Sequence, residues 1–526
     1  MLVGAGPGRP DLITLRGVEC LRQADVVVLD ALVDRRVLRH CPPGVQIIEA
    51  GKRGGGRVFL RQPAINRLLV RLARAGKTVV RLKGGDPYFF GRGAEEAEAL
   101  ADQNIPFEVV PGVSSATAVP GFAGIPLTHR GHASTVTVVT GHEGRENPYL
   151  GDSVGQAARR RGPGVDWTKI SPTGTLVVLM GLNQLPGISR RLLILGWPPA
   201  LPAAVVQWGS WAHQRTVRGT LSDIARQVKL KGIGAPAVIV IGDVAGLGTK
   251  LDWFEKRPLF GKTVLVTRAR EQASTLTALL ENEGARVIES PLISISPLPL
   301  NKRGRGFLKN LSQYDGVLVT SANGANLLAG HLKGRVCPPG DECPPVFAIG
   351  EKTAQALRAE GVAVYRTAET FQSEGLVKLV GRRLDGKKFL LARAREGRDV
   401  IESALARRGA RVDLWPLYET RPVALSRDAK AALLSGAVDA VTFTSSSTVT
   451  SFVKNFTRAQ RRRLFLRTRA LSIGPITSRA LRAGDIRPQG DIRPRGIRPL
   501  QARGAATVED LARVAIRALG QTQKLP

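Results

Sequence analysis

The chain has 526 residues, 43% of them hydrophobic, and a formal net charge of +34 at pH 7. That length exceeds one ordinary core, so two to four domains are expected, and the hydrophobic content excludes a largely disordered polymer. The longest apolar runs, Thr175–Met180 and Ala237–Ile241, are strand-length, far short of the ~20 residues of a membrane span, and no signal peptide opens the chain; a cytoplasmic protein is expected.

The first element is a short apolar strand leading into Val3-Gly4-Ala5-Gly6-Pro7-Gly8. Met1 lies so close to this loop that a clipped first strand, or further chain upstream, is expected. A dinucleotide-binding turn needs a third glycine three residues after the second. Pro7, Gly8 and Arg9 follow Gly6 instead, so the spacing fails. The next strand, Val26-Val27-Val28-Leu29, closes on Asp30, where the carboxyl end of a parallel strand would present it to a site. Gly51-Lys52-Arg53 follows. A further strand then runs into Lys83-Gly84-Gly85-Asp86-Pro87-Tyr88-Phe89-Phe90-Gly91-Arg92-Gly93. Glycine-rich loops of this kind let backbone N–H groups approach a ligand that side chains would keep away.

Later in the first half come Val110-Pro111-Gly112-Val113-Ser114-Ser115-Ala116, Gly124-Ile125-Pro126-Leu127-Thr128-His129-Arg130, Thr140-Gly141-His142 and Met180-Gly181-Leu182-Asn183. This ordered set resembles the tetrapyrrole methylases, most closely uroporphyrinogen-III C-methyltransferase, over about residues 1–252. The resemblance implies two α/β subdomains, about 1–113 and 114–252, with S-adenosylmethionine between them. It implies two methylations of uroporphyrinogen III, giving precorrin-2 on the way to sirohaem and cobalamin. Carried over by position, the donor would meet Pro7, Gly84, Gly85, Asp86, Phe89, Ser114, Ser115, Met180 and Gly209. Asp30 matches the family's proton acceptor and Lys52 its proton donor. Asp86 also reads as a turn residue before Pro87, Met180 as core filling, Asp30 as a helix cap and Lys52 as a solvated charge. One departure is Arg9, where the family has an acid. The family forms dimers, so a homodimer through this half is expected.

A boundary is placed at 253–260, read as a linker before a fresh strand at Thr263–Thr267. The rest carries an internal repeat. Gly261-Lys262-Thr263-Val264-Leu265-Val266-Thr267-Arg268 matches Gly386-Lys387-Lys388-Phe389-Leu390-Leu391-Ala392-Arg393, and Tyr314-Asp315-Gly316-Val317 matches Val438-Asp439-Ala440-Val441, at an offset of about 125 residues. Alternating strand, turn and helix in each copy argues doubly wound parallel sheets. The offset lengthens by about eleven residues across the breaker-rich Gly484–Pro499, read as a solvated loop insertion, as is Gly144–Gly164. Strands in this half end in hydroxyls: Thr320-Ser321-Ala322-Asn323-Gly324, Thr444-Ser445, and the turns Gly350-x-x-Thr353 and Gly474-x-x-Thr477. Such turns offer N–H groups and hydroxyls to anions, or simply cap helices.

With Pro416-Leu417-Tyr418-Glu419-Thr420, these elements resemble uroporphyrinogen-III synthase over 261–526. The resemblance implies lobe one at about 261–293 plus 421–526 and lobe two at about 298–415. It implies closure of hydroxymethylbilane with inversion of the last pyrrole. Ser321, Asn323, Thr353, Thr444, Ser445 and Thr477 would hold the polycarboxylate, and Tyr418 would assist hydroxide departure; Tyr418 also reads as a hinge-packing aromatic.

The expected architecture is therefore a two-domain α/β methylase followed by a duplicated, two-lobed α/β synthase, bifunctional, with tetrapyrrole substrates. The alternatives are a methylase of another corrin precursor with a synthase-like domain that only binds, or a basic nucleic-acid-binding protein. Basic residues spread along the chain and 5% aromatics speak against nucleic acid; the charge also suits compositional bias or a polyanionic small substrate. Cys20, Cys41, Cys337 and Cys343 make no zinc pattern and are expected as free thiols, with no metal.

Overall fold

The computed structural model describes all residues except 52–59, 142–164, 269, 333–342, 369–372, 382, 397–398, 487–506 and 521–526. The chain divides into two compact units, Met1–Gly261 and Lys262–Pro526.

In the first unit, β1 (Leu2–Gly4), β2 (Val26–Leu29), β3 (Gln46–Glu49), β4 (Val79–Lys83) and β5 (Val109–Val110) form one sheet in the order β3-β2-β4-β1-β5. Every pairing is parallel. All four residues of β2 are buried, as an unbroken apolar run in a sheet covered on both faces should be. The second sheet comprises β6 (Val136–Thr140), β7 (Thr175–Leu179), β8 (Pro202–Gln207), β9 (Arg215–Thr220) and β10 (Ala237–Ile241), ordered β6-β7-β10-β8-β9. Only β6 and β7 run parallel there; β7, β10, β8 and β9 are antiparallel neighbours. Residues 253–260 pack into this unit. Phe254 and Leu259 are buried, and Glu255 Oε1 accepts from Gln214 Nε2 at 3.0 Å and from Thr216 Oγ1.

The second unit holds two sheets. One has β11 (Thr263–Val266), β12 (Arg286–Glu289), β19 (Ala440–Phe443) and β20 (Arg469–Ser472), all parallel, ordered β12-β11-β19-β20. The other has β13 (Ile293–Pro297), β14 (Gly316–Val319), β15 (Val346–Ala348), β16 (Arg366–Thr367), β17 (Lys388–Ala394) and β18 (Arg411–Pro422), ordered β13-β18-β17-β14-β15-β16. It is parallel except for β13, which runs antiparallel to β18. The two repeat copies do not each make a lobe. β11 of the first copy pairs with β19 of the second, and β14 of the first with β17 of the second. The repeat preserves the tie at each junction. Asp439 Oδ2 accepts from the Thr263 N–H and Asp315 Oδ2 from the Lys388 N–H, both at 2.8 Å.

Two sequence expectations need correction. Cys343 is disulfide-bonded, whereas Cys20 and Cys41 are free and Cys337 lies outside the described residues; a spacing wrong for zinc does not exclude a disulfide. Ile486, inside the stretch read as solvated, is fully buried in the core of the first lobe with Phe443 and Leu481. The rest of that insertion, and the one at Gly144–Gly164, lie outside the described residues. No helix among the described residues is long and apolar enough to cross a membrane.

Candidate active sites

The carboxyl ends of β1, β2 and β4 open onto a cavity of about 580 Å³ within the first unit, closed on its other side by residues of β7, β8 and β10. Every expected donor residue lines it: Pro7, Gly84, Gly85, Asp86, Phe89, Ser114, Ser115, Met180 and Gly209. Asp30 lines it as well. Lys52 lies outside the described residues.

The turn after β4 is built on Gly85, at φ +69, which a side chain would strain. Asp86 fixes that turn. Its Oδ1 accepts from the Tyr88 N–H at 2.8 Å and its Oδ2 from the Gly112 N–H at 2.9 Å, tying the second glycine loop to the Val110-Pro111-Gly112 segment. Both readings of Asp86 thus meet in one residue, a turn former on the cavity wall. Ser114 caps the helix Ser115–Phe122 through Ala116 N–H at 3.2 Å. Gly209 is demanded by packing, because a Cβ there would stand 2.4 Å from Val119 Cγ1. Met180 does not fill a core: it is 55% exposed with φ +54. Arg9, where the family has an acid, pairs through Nε at 2.9 Å with Asp11 two residues on.

Strain gathers here. Among the described residues, seven non-glycine residues have positive φ, and four of them, Phe90, Arg92, Met180 and Trp208, line this cavity. Backbones of this kind persist where surrounding structure over-determines them, commonly at functional sites.

The floor is ionic. Asp30 Oδ1 accepts from Arg81 Nη2 at 2.5 Å. Arg81 Nε, Lys83 Nζ and Gln62 Nε2 all donate to Glu96 Oε1, each at 3.1 Å. Glu96 is fully buried and its Oε2 has no hydrogen-bond partner among the described residues. Burial pushes the Lys83 ammonium below the ordinary lysine value, and the Arg81 charge adds to this; Asp30 and Glu96 oppose it. Gln62, Arg81, Lys83, Glu96 and Trp208 were not singled out from the sequence. Lys83 opens the quoted string and Arg81 lies two residues before it on the same strand, and they were the readable signal; Glu96 looks like one more surface acid of an acidic helix.

In the second unit the candidate residues other than Tyr418 fall at, or just after, carboxyl ends of parallel strands. Ser321 follows β14 and Tyr418 lies on β18; their hydroxyls are 2.9 Å apart, and Ser321 Oγ also accepts from the Gly324 N–H at 3.0 Å. Asn323 stands in the helix Ala322–Leu332. Thr353 follows β15, the neighbour of β14. In the other lobe Thr444 and Ser445 follow β19 and Thr477 follows β20, its neighbour. Ser445 and Thr448 form a capping box. Thr353 and Thr477 are buried in their helices' first turns. Tyr418 is only 7% exposed. Burial raises its phenol above the ordinary tyrosine value, the Ser321 hydrogen bond opposing.

Known proteins resemble each unit. Residues 1–225 match the family model Tetrapyrrole (Corrin/Porphyrin) Methylases, and residues 274–490 match Uroporphyrinogen-III synthase HemD. A porphyrin biosynthesis protein HemD of Ruminiclostridium josui is 36% identical over 455 residues, covering 86% of this chain and 88% of that protein. A uroporphyrinogen-III C-methyltransferase of Bacillus subtilis is 39% identical, covering 61% of this chain and 62% of the relative. A siroheme synthase of Azotobacter vinelandii is 46% identical over 49% of this chain, which spans about half of that relative, 52%. A solved uroporphyrin-III C-methyl transferase from Thermus thermophilus, complexed with S-adenyl homocysteine, is 40% identical and covers 47% of this chain and 98% of its own, at a TM-score of 0.38.

Proposed function

The chain belongs to the family that joins a tetrapyrrole methylase to a uroporphyrinogen-III synthase, and from that premise we propose that it makes uroporphyrinogen III in its second unit and methylates it in its first. The observation that carries this reading is the pairing itself. One chain holds the two families of which the second yields the substrate of the first.

S-adenosylmethionine is the methyl donor, and the cavity fits it. Its volume lies in the range of small-molecule sites, its apolar side suits an adenosine, and the Gly84-Gly85 turn leaves backbone bare. Pro7, Gly84, Gly85, Ser114, Ser115, Met180 and Gly209 would hold it. When bound, it supplies an electrophilic methyl group. The chain's own task is to hold the pyrrole carbon toward that group and to remove the proton that the ring gives up. Asp30 is the base: it stands at the end of β2, on the cavity, with Arg81 fixing its orientation. The Arg81–Glu96–Lys83 cluster keeps the floor rigid and near neutral while offering hydrogen bonds to a polycarboxylate's edge.

In the second unit the protein mainly folds and holds a flexible polycarboxylate. Hydroxide is a poor leaving group, so a hydrogen-bond donor must reach it. Tyr418 serves, kept protonated by burial and oriented by Ser321. Supplying uroporphyrinogen III with methyl-labelled donor to the purified chain tests the first activity. Two labels per tetrapyrrole are expected; label-free tetrapyrrole would end the methylase reading.

A further inference from the structure

The glycine-rich loops account for one wall of the first unit's cavity. The opposite wall carries two indoles that lie outside all of them, Trp208 and Trp211. Trp208 follows β8 and lines the cavity beside Met180, Val206, Gly209 and Ala237.

Its backbone is unusual. Trp208 holds φ +51 and Ser210 φ +70, a left-handed conformation that bulky residues seldom adopt. The loop is held there by its neighbours. Trp208 N–H donates to the Pro236 carbonyl and Trp211 N–H to the Trp208 carbonyl, both at 3.1 Å. Ser210 N–H donates to Gln214 Oε1 at 3.0 Å, and Ser210 Oγ accepts from the Arg9 N–H at 3.3 Å. Glycine or asparagine would meet such a backbone more cheaply, yet the position holds the largest side chain. The indole is also braced. Trp211 meets it edge-on at 5.8 Å between centroids, and His213 lies at 5.3 Å.

The cavity's charge is one-sided. Asp30, Arg81, Lys83 and Arg92 line it from the first sheet's side, whereas the wall from β7, β8 and β10 brings no charged residue. The charged, hydrogen-bonding side suits a carboxylate-rich tetrapyrrole. A flat, uncharged purine belongs with the indole. We propose that Trp208 is the aromatic surface on which the adenine of the methyl donor stacks, and that it thereby sets this unit's affinity for adenosyl ligands. The proposal rests on the reading that this cavity takes the donor.

Titration calorimetry on the full chain tests it, with S-adenosylhomocysteine and 5′-methylthioadenosine as probes. Both carry adenine, and the second lacks the amino-acid end. Trp208→Phe keeps a ring and should stay within about threefold of the parent for both. Trp208→Asn tolerates the left-handed backbone but removes the ring, and should weaken both by about tenfold, with the thermal unfolding midpoint unchanged. A Trp208→Asn variant within twofold of the parent overturns the proposal. So does a loss for S-adenosylhomocysteine without one for methylthioadenosine, because then the amino-acid end is being read. Intact S-adenosylhomocysteine binding with a raised KM for uroporphyrinogen III would put the tetrapyrrole on the indole instead. If the parent chain binds no S-adenosylhomocysteine, the donor reading itself falls.

Discussion

Glu96→Gln isolates the ionic floor beneath Asp30. In the parent, one buried carboxylate oxygen accepts from Arg81, Lys83 and Gln62, and Glu96 has no exposed surface. Removing one partner of a buried ion pair costs about 3–5 kcal/mol. Glutamine keeps the shape and can still accept one hydrogen bond, worth about 1 kcal/mol, so a loss of about 2–4 kcal/mol is expected near pH 7. Burial already holds Lys83 below the ordinary lysine value while Glu96 pulls it back up; without Glu96 it falls further. The folded state then sheds this proton at lower pH than the unfolded chain. Stability therefore rises with pH between the two values, by up to about 1.4 kcal/mol per pH unit, and the variant's deficit shrinks toward alkaline pH. Urea unfolding followed by tryptophan fluorescence reads mainly the first unit, because every tryptophan but Trp415 lies there. A deficit below about 0.5 kcal/mol, or one that is the same near pH 7 and pH 9.5, would show that the cluster does not carry the charge balance described.

Asp30→Asn should leave S-adenosylhomocysteine binding intact and slow methylation by about 10²-fold or more; parent-like turnover in single-turnover assays removes Asp30 from the mechanism. Gly209→Ala should weaken donor binding, since the new methyl would collide with Val119 at 2.4 Å, and calorimetry showing parent affinity would mean the loop yields freely. Tyr418→Phe should shift the synthase product from the type III toward the spontaneously formed type I isomer while methylation of supplied uroporphyrinogen III stays normal. An unchanged type III rate by isomer chromatography would assign the proton to water or another hydroxyl.

The architecture was legible because it is written locally. Glycine loops at the ends of β1 and β4, and an unbroken apolar run ending in Asp30, announce a parallel sheet and its functional edge. The duplication announced the second unit. The duplication alone does not say that β11 pairs with β19 and β14 with β17; that grouping comes from the resemblance, which sets 261–293 with 421–526 and keeps 298–415 together. The antiparallel edge strand β13 is equally silent in an alternating polar–apolar run. At the site, Pro7, Gly85 and Met180 were readable from their strings. Glu96 and Trp208 were not, because their significance comes from residues distant in the sequence: Gln62 and Arg81 bond Glu96, and the Pro236 carbonyl holds the Trp208 backbone. Asp86 shows the opposite limit. It lines the cavity as the resemblance implies, and only the structure shows that its oxygens also hold the backbone amides of Tyr88 and Gly112.

The central claim is that one chain closes a linear tetrapyrrole and then methylates the ring. Incubating the purified full chain with hydroxymethylbilane and S-adenosylmethionine, and identifying the tetrapyrrole by mass and isomer chromatography, tests both steps together. The account predicts a type III product carrying two added methyl groups. Type I uroporphyrinogen, or a type III ring without methyl groups, would contradict it.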